Sequence, residues 1–163
     1  MSAETRLVLT TDDPTQTAAL ARRLAPVLRA GDVLALTGPI GAGKSLMARE
    51  IIRTRGVTED IPSPTFTLVQ SYVTPDLEIW HTDLYRLSGA GEVWELGLED
   101  AFDTALCLVE WPDRLGGDLP ATALHLSLDP LGETGGQRRI ILSGPAPVWA
   151  DRLAALRTEP ADD

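Results

Sequence analysis

The stretch "VLALTGPIGAGKSLMAREII", residues 33–52, joins a short continuous apolar run to a glycine-rich turn and then to a helical pattern. The apolar run reads as a central strand covered on both faces. Within the turn, Gly38-Pro39-Ile40-Gly41-Ala42-Gly43-Lys44-Ser45 fits G-x-x-x-x-G-K-[ST]. The chemistry of such a loop is specific. Glycines let backbone N–H groups turn inward and approach phosphate oxygens closely. The following helix aims its positive end at the same place. A flexible ammonium at Lys44 then reaches the β- and γ-phosphates, and the Ser45 hydroxyl faces Mg²⁺. Gly38, Gly41, Ala42, Gly43, Lys44 and Ser45 are therefore the candidate nucleotide-binding residues.

Lys44 is the only lysine in the chain. Of the 14 cationic side chains, all the others are arginine. An arginine's planar guanidinium is too bulky to act as a compact point charge inside a closed backbone cradle. Elsewhere on the surface either cation suffices, and there the chain uses arginine. The absence of a second lysine also removes the N-K-x-D element of guanine-specific loops, which points to ATP and ADP as the nucleotides.

On either side of this stretch the chain continues as α/β. "TRLVLTT" suits a short strand, and "DDPTQTAALARRLA" a helix with Asp13 as its cap and Pro14 at its first position. "SLMAREIIRTR" is a helix ending at Gly56. "TFTLVQSYVTPDLEIWHTDLYRL" reads as a hairpin turning at Thr74-Pro75-Asp76. "GEVWELGLEDAFD" has weak helical character, and "ALCLVEW" is another buried strand. "ALHLSLDPLGETGGQRRIILSG" alternates as a second hairpin around Gly135-Gly136, and "APVWADRLAALR" is a closing helix. The expected fold is a three-layer α/β sandwich of the P-loop NTPase type. Its mixed sheet has a parallel core with antiparallel hairpins added. One domain is expected over residues 1–157, with a short acidic frayed tail at 158–163.

Composition narrows the functions. The net charge of -10 repels nucleic-acid phosphates, so unaided DNA or RNA binding is not expected. The single cysteine, Cys107, leaves neither an internal disulfide nor a Cys-based zinc site, and "ALCLV" buries it as an inert thiol. The chain carries no apolar run long enough to span a membrane and no signal peptide at its start. A cytoplasmic protein is expected.

A phosphate loop needs an acid at the end of a neighbouring strand to hold Mg²⁺ and its waters. Glu110, after four apolar residues in "ALCLVEWP", is that candidate. Asp83, after "LEIWHT", is a second acid that orients water or helps to bind Mg²⁺. Thr65, in "SPTFT", is a candidate sensor of the γ-phosphate and Mg²⁺. His81 is read as a structural strand-end histidine, and the four tryptophans as core or interface.

Taken together, "GPIGAGKS", "SPTFTLVQSY", "HTDLYRL", "ELGLEDAF" and "VEWPDRL" resemble the bacterial TsaE (YjeE) family in order and spacing, from about Gly31 to Arg114. The resemblance implies a small cytoplasmic ATPase with a P-loop fold. It would work with TsaB and TsaD in making the threonylcarbamoyladenosine modification of tRNA, with tRNA contacted only through the complex. By the same resemblance Lys44 and Ser45 are phosphate and Mg²⁺ residues, Thr65 the switch-like threonine, Asp83 the acid of H-x-D-L-Y-R-L, and Glu110-Trp111 the E-W pair. Pro39, Ile40 and Ser45 depart from the family's usual G-D-L-G-A-G-K-T loop. An ATPase slow on its own is expected, because no arginine finger is evident; Arg86 and Arg114 are the nearest in sequence to the two acids. The alternative is a small-molecule kinase with Asp83 as base, although no arginine-rich lid insertion is evident.

Overall fold

A computed structural model describes residues 3–39, 41–58, 60–61, 69–85, 97–113, 115, 119–132 and 136–157. Strand β1 (Glu4–Thr11) leads into helix α1 (Pro14–Leu24), which a short 3₁₀ turn at Ala25–Val27 extends. Asp13 caps α1 by accepting from the Gln16 N–H at 2.9 Å, and Pro14 occupies the first turn. Strand β2 (Val33–Thr37) feeds the glycine-rich loop and helix α2 (Lys44–Thr54). Strands β3 (Val69–Val73) and β4 (Glu78–Asp83) form the first hairpin. The Thr74 side chain closes its turn, with the Leu77 N–H 3.1 Å from its hydroxyl. Helix α3 (Leu98–Thr104) and strand β5 (Leu106–Glu110) follow. Strands β6 (Leu124–Leu131) and β7 (Gln137–Pro145) form the second hairpin, and helix α4 (Ala146–Arg157) comes last.

The seven strands make one mixed sheet in the order β1-β7-β6-β2-β5-β4-β3. Strands β6, β2, β5 and β4 run parallel, while β7 and β3 are antiparallel to their neighbours. Parallel core and antiparallel hairpins are thus as the sequence predicts. Alternation along the strands divides the core between the two faces. Leu34, Leu36, Leu106 and Leu108 face α1, α2 and α4 with Met47, Ile51, Trp149 and Leu153. Val33, Cys107 and Val109 face the opposite way, with Leu98, Ala101 and Phe102 of α3. Central strands buried on both faces require the continuous apolar runs seen in β2 and β5. No helix among the described residues is long and apolar enough to cross a membrane.

This topology brings three strand ends together. Leu36 of β2 and Asp83 of β4 both stand in register with Glu110 of β5. The loop after β2 therefore opens beside the carboxyl ends of β5 and β4, where ligands of open α/β sheets bind.

Candidate active site

The loop is shaped by its glycines. A side chain at Gly38 would place its Cβ 2.6 Å from the Leu128 carbonyl of β6, so only glycine lets strand and loop pass so closely. Gly43, at φ 110, turns the chain into α2 in a left-handed conformation that other residues rarely adopt. The Ala42 N–H donates to the Pro39 carbonyl at 3.0 Å. Pro39 thus serves the loop through its oxygen, and its missing N–H is not part of that bond.

Lys44 opens α2 and is buried. Its ammonium donates to the Gly38 carbonyl and, at 3.3 Å, to that of Pro39. An ammonium has three N–H donors, so one remains to meet a phosphate. Burial lowers the Lys44 pKa, and the nearby Glu110 and then Asp83 carboxylates oppose that shift. The indole of Trp111 lies over the ammonium, 4.1 Å from ring centroid to Nζ, in a cation–π contact. Trp111 is the one non-glycine residue at positive φ among the described residues, at 60°. That conformation is uncommon for a bulky side chain and marks stored strain at a site. The sequence reading of Trp111 as core or interface misses this contact. Trp149, by contrast, is fully buried.

Glu110 ends β5 at 3% exposure and Asp83 ends β4 at 7%. Buried carboxylates at adjoining strand ends are costly unless partnered, and both have partners. The Ser45 hydroxyl donates to Glu110 at 3.1 Å. On the other side the His81 Nε2 lies 2.7 Å from the same Oε2. A carboxylate only accepts, so this ring nitrogen is the donor. Among the described residues His81 Nδ1 has no hydrogen-bond partner. Asp83 accepts from the Tyr85 N–H at 3.0 Å, and Tyr85 packs its ring against Trp111 at 4.8 Å. Lys44, Ser45, Asp83 and Glu110 thus lie together at the ends of β2, β5 and β4. Thr65, Arg86 and Arg114 lie outside the described residues, as do the tail at 158–163, Ile40 and Gly135.

Ser45 and Glu110 offer only oxygen, the donor type suited to a hard cation such as Mg²⁺. No group of three or more His, Cys, Asp or Glu side chains among the described residues makes a closed metal cage. Mg²⁺ at a phosphate site is ordinarily held by one or two protein oxygens together with phosphates and water, and the residues present fit that pattern.

A cleft of about 150 Å³ lies on the other side of the loop, lined by Pro14 and Thr17 of α1, Gly41, Ala42 and Gly43 of the loop, and Arg138 of β7. The sequence reading does not find it. Its walls come from three distant segments and carry no motif. The one available indication is alternation: in "QRRIIL" Arg138 shares a strand face with Ile140 and Leu142, which are buried.

The family model described as "Threonylcarbamoyl adenosine biosynthesis protein TsaE" matches residues 11–140. A "tRNA threonylcarbamoyladenosine biosynthesis protein TsaE" of Rickettsia felis is 39% identical over 150 residues, covering 91% of this chain and 86% of its own. The protein of the same description from Bacillus subtilis is 35% identical over 124 residues, covering 76% of this chain and 77% of its own. Among solved structures, Bacillus subtilis YdiB superposes with a TM-score of 0.81 at 27% identity, covering 96% of this chain and 97% of its own.

Proposed function

The chain belongs to the TsaE family, and from that premise we propose that it binds and hydrolyses ATP in the biosynthesis of tRNA threonylcarbamoyladenosine. The observation that carries this reading is the convergence of Lys44, Ser45, Glu110 and Asp83 at the ends of β2, β5 and β4. In this reading the backbone from Gly38 to Ser45 cradles the phosphates, and Lys44 keeps the loop closed while meeting the γ-phosphate. Thr65 is the candidate hydroxyl that senses the γ-phosphate and Mg²⁺. Ser45, Glu110 and Asp83 would hold Mg²⁺ and its water. When bound, that cation offsets the charge on the phosphates. Glu110 and Asp83 also orient the attacking water, and His81 fixes the Glu110 carboxylate from behind.

The protein works in the cytoplasm with TsaB and TsaD, and those partners carry the tRNA contact. A net charge of -10 supports that division, since such a surface resists polyanions. Alone it is a slow ATPase. A partner that supplies or positions an arginine finger accelerates P-loop hydrolysis by about 10³ to 10⁵. The test is phosphate release from ATP by the protein alone, then with TsaB, TsaD and tRNA. Slow release alone and a large rise with the partners is the expected result. Fast release that ignores the partners, or transfer of the γ-phosphate to a metabolite, would overturn the proposal.

A further inference from the structure

Arg138 reaches the phosphate loop from β7, two strands away from β2 in the sheet. It sits near the start of β7, in register with Thr11 of β1 and Pro130 of β6. Its Nε donates to the Ala42 carbonyl at 2.7 Å, and its Nη2 donates to the Gly41 carbonyl at 3.2 Å. The remaining terminal nitrogen, Nη1, donates to the Gln137 carbonyl at 2.9 Å and so ties the guanidinium to its own strand. Two directed donors on two successive carbonyls suit a planar fork and no other side chain.

The consequence follows from peptide geometry. In a trans peptide the N–H points opposite to the C=O of the same plane. Turning the Gly41 and Ala42 carbonyls toward Arg138 turns the N–H groups of Ala42 and Gly43 away from it. The Ala42 N–H is held by the Pro39 carbonyl, so the Gly43 N–H is the donor that this turn leaves for a phosphate. The segment needs such support, because Gly41 and Gly43 both sit at positive φ, and an added Cβ at either would meet nothing within 4 Å. Ala42 between them is buried in the core, so the two glycines are the points where side-chain packing does not hold the backbone, and glycine itself permits many conformations.

We propose that Arg138 is a positioning residue for the phosphate loop: clamped on the Gly41 and Ala42 carbonyls from β7, its guanidinium fork holds the loop backbone, the Gly43 amide included, in its phosphate-binding conformation. The proposal rests on the nucleotide-binding reading for its purpose, though the clamp itself does not depend on any ligand. Arg138 touches the loop rather than the reacting atoms, and its effect on nucleotide is through Gly41 and Ala42.

The test compares wild type with Arg138→Lys and Arg138→Gln. Lysine keeps the cation and loses the fork; glutamine loses the charge as well. Circular dichroism checks folding, and the lysine variant keeps the stem if glutamine proves too disruptive. Affinities for ATP and for inorganic tripolyphosphate, both with Mg²⁺, are measured by calorimetry. Amide hydrogen exchange over residues 41–45 is measured on the free protein. A clamp predicts that both variants weaken ATP and tripolyphosphate alike, by about tenfold. It also predicts faster exchange of the loop amides before any ligand is added. Full affinity in the lysine variant would overturn the proposal, since charge alone would then suffice. Weakened ATP with unchanged tripolyphosphate would overturn it too, by making Arg138 a nucleoside contact. Unchanged loop exchange would contradict it in the free protein. If wild type bound neither ligand, the nucleotide reading would fall, and the exchange data would still decide the clamp.

Discussion

Strand β5 is buried along its whole length, Glu110 included, whereas β7 from Arg139 to Gly144 alternates buried positions with exposed or half-buried ones. The contrast runs through the sheet. On one side β2, β5 and the last half of β4 are covered on both faces, and a polar side chain there must have a partner or a task. His81, Asp83 and Glu110 are such residues, and all three gather at the ends of their strands. On the other side β6, β7 and β1 alternate, so polar residues are ordinary and carry no message on their own. The parallel half displays its chemistry; the antiparallel half conceals it.

The largest test of this difference is stability. Leu108→Ala, in the middle of β5, removes a fully buried side chain and should cost about 2–5 kcal/mol of unfolding free energy. Val8→Ala, at 48% exposure on the edge strand β1, should stay within about 0.5 kcal/mol. Denaturant unfolding of the two variants measures both, and equal costs would erase the contrast. Next comes the acid at the end of β5. Glu110→Gln keeps the shape and removes the charge, so turnover should fall about 100-fold while ATP affinity changes far less. Loss of affinity in step with turnover would assign Glu110 to ground-state binding instead. Asp83→Asn should act in the same direction with a smaller loss, about tenfold in turnover. An unchanged rate would make Asp83 a turn residue that merely accepts from the Tyr85 N–H.

The smallest effect concerns Cys107, also in β5. Burial, with some help from Glu78, pushes its thiol from the ordinary 9.0 up to about 12. The folded state therefore keeps a proton that the unfolded chain loses. That contribution to stability is complete below about pH 9 and declines as the pH rises toward the folded value. Between about pH 8 and about pH 10, wild type should lose stability more steeply than Cys107→Ala. Parallel slopes would show that the thiol ionises freely in the folded protein.

What could be read in advance follows the same division. The loop from Gly38 to Ser45 was legible because its residues are contiguous and each type has a phosphate-binding reason. Glu110 stands out because it is an acid closing an apolar strand, whereas Asp83 is unremarkable alone and stands out only beside the phosphate loop and within "HTDLYRL". The mixed sheet was legible from the two hairpins and the buried apolar runs between them, while the order of its strands was not. Arg138 and the cleft were not legible, since Pro14, Gly41 and Arg138 meet only after β1 and β7 pair at one edge of the sheet. The Trp111 contact was hidden for a different reason. It depends on a left-handed backbone at a non-glycine residue, which no local pattern announces. In the sequence His81 reads as a structural strand-end histidine, and its link to Glu110 depends on register between strands far apart in sequence.

The claim at the centre is that Lys44 and its loop bind a nucleotide triphosphate. Calorimetric titration of ATP with Mg²⁺ into wild type and Lys44→Ala tests it most directly. The account predicts saturable binding by wild type and at least about a tenfold loss of affinity in the variant, with the fold retained. Equal binding by the two proteins, or none by a folded wild type, would contradict it.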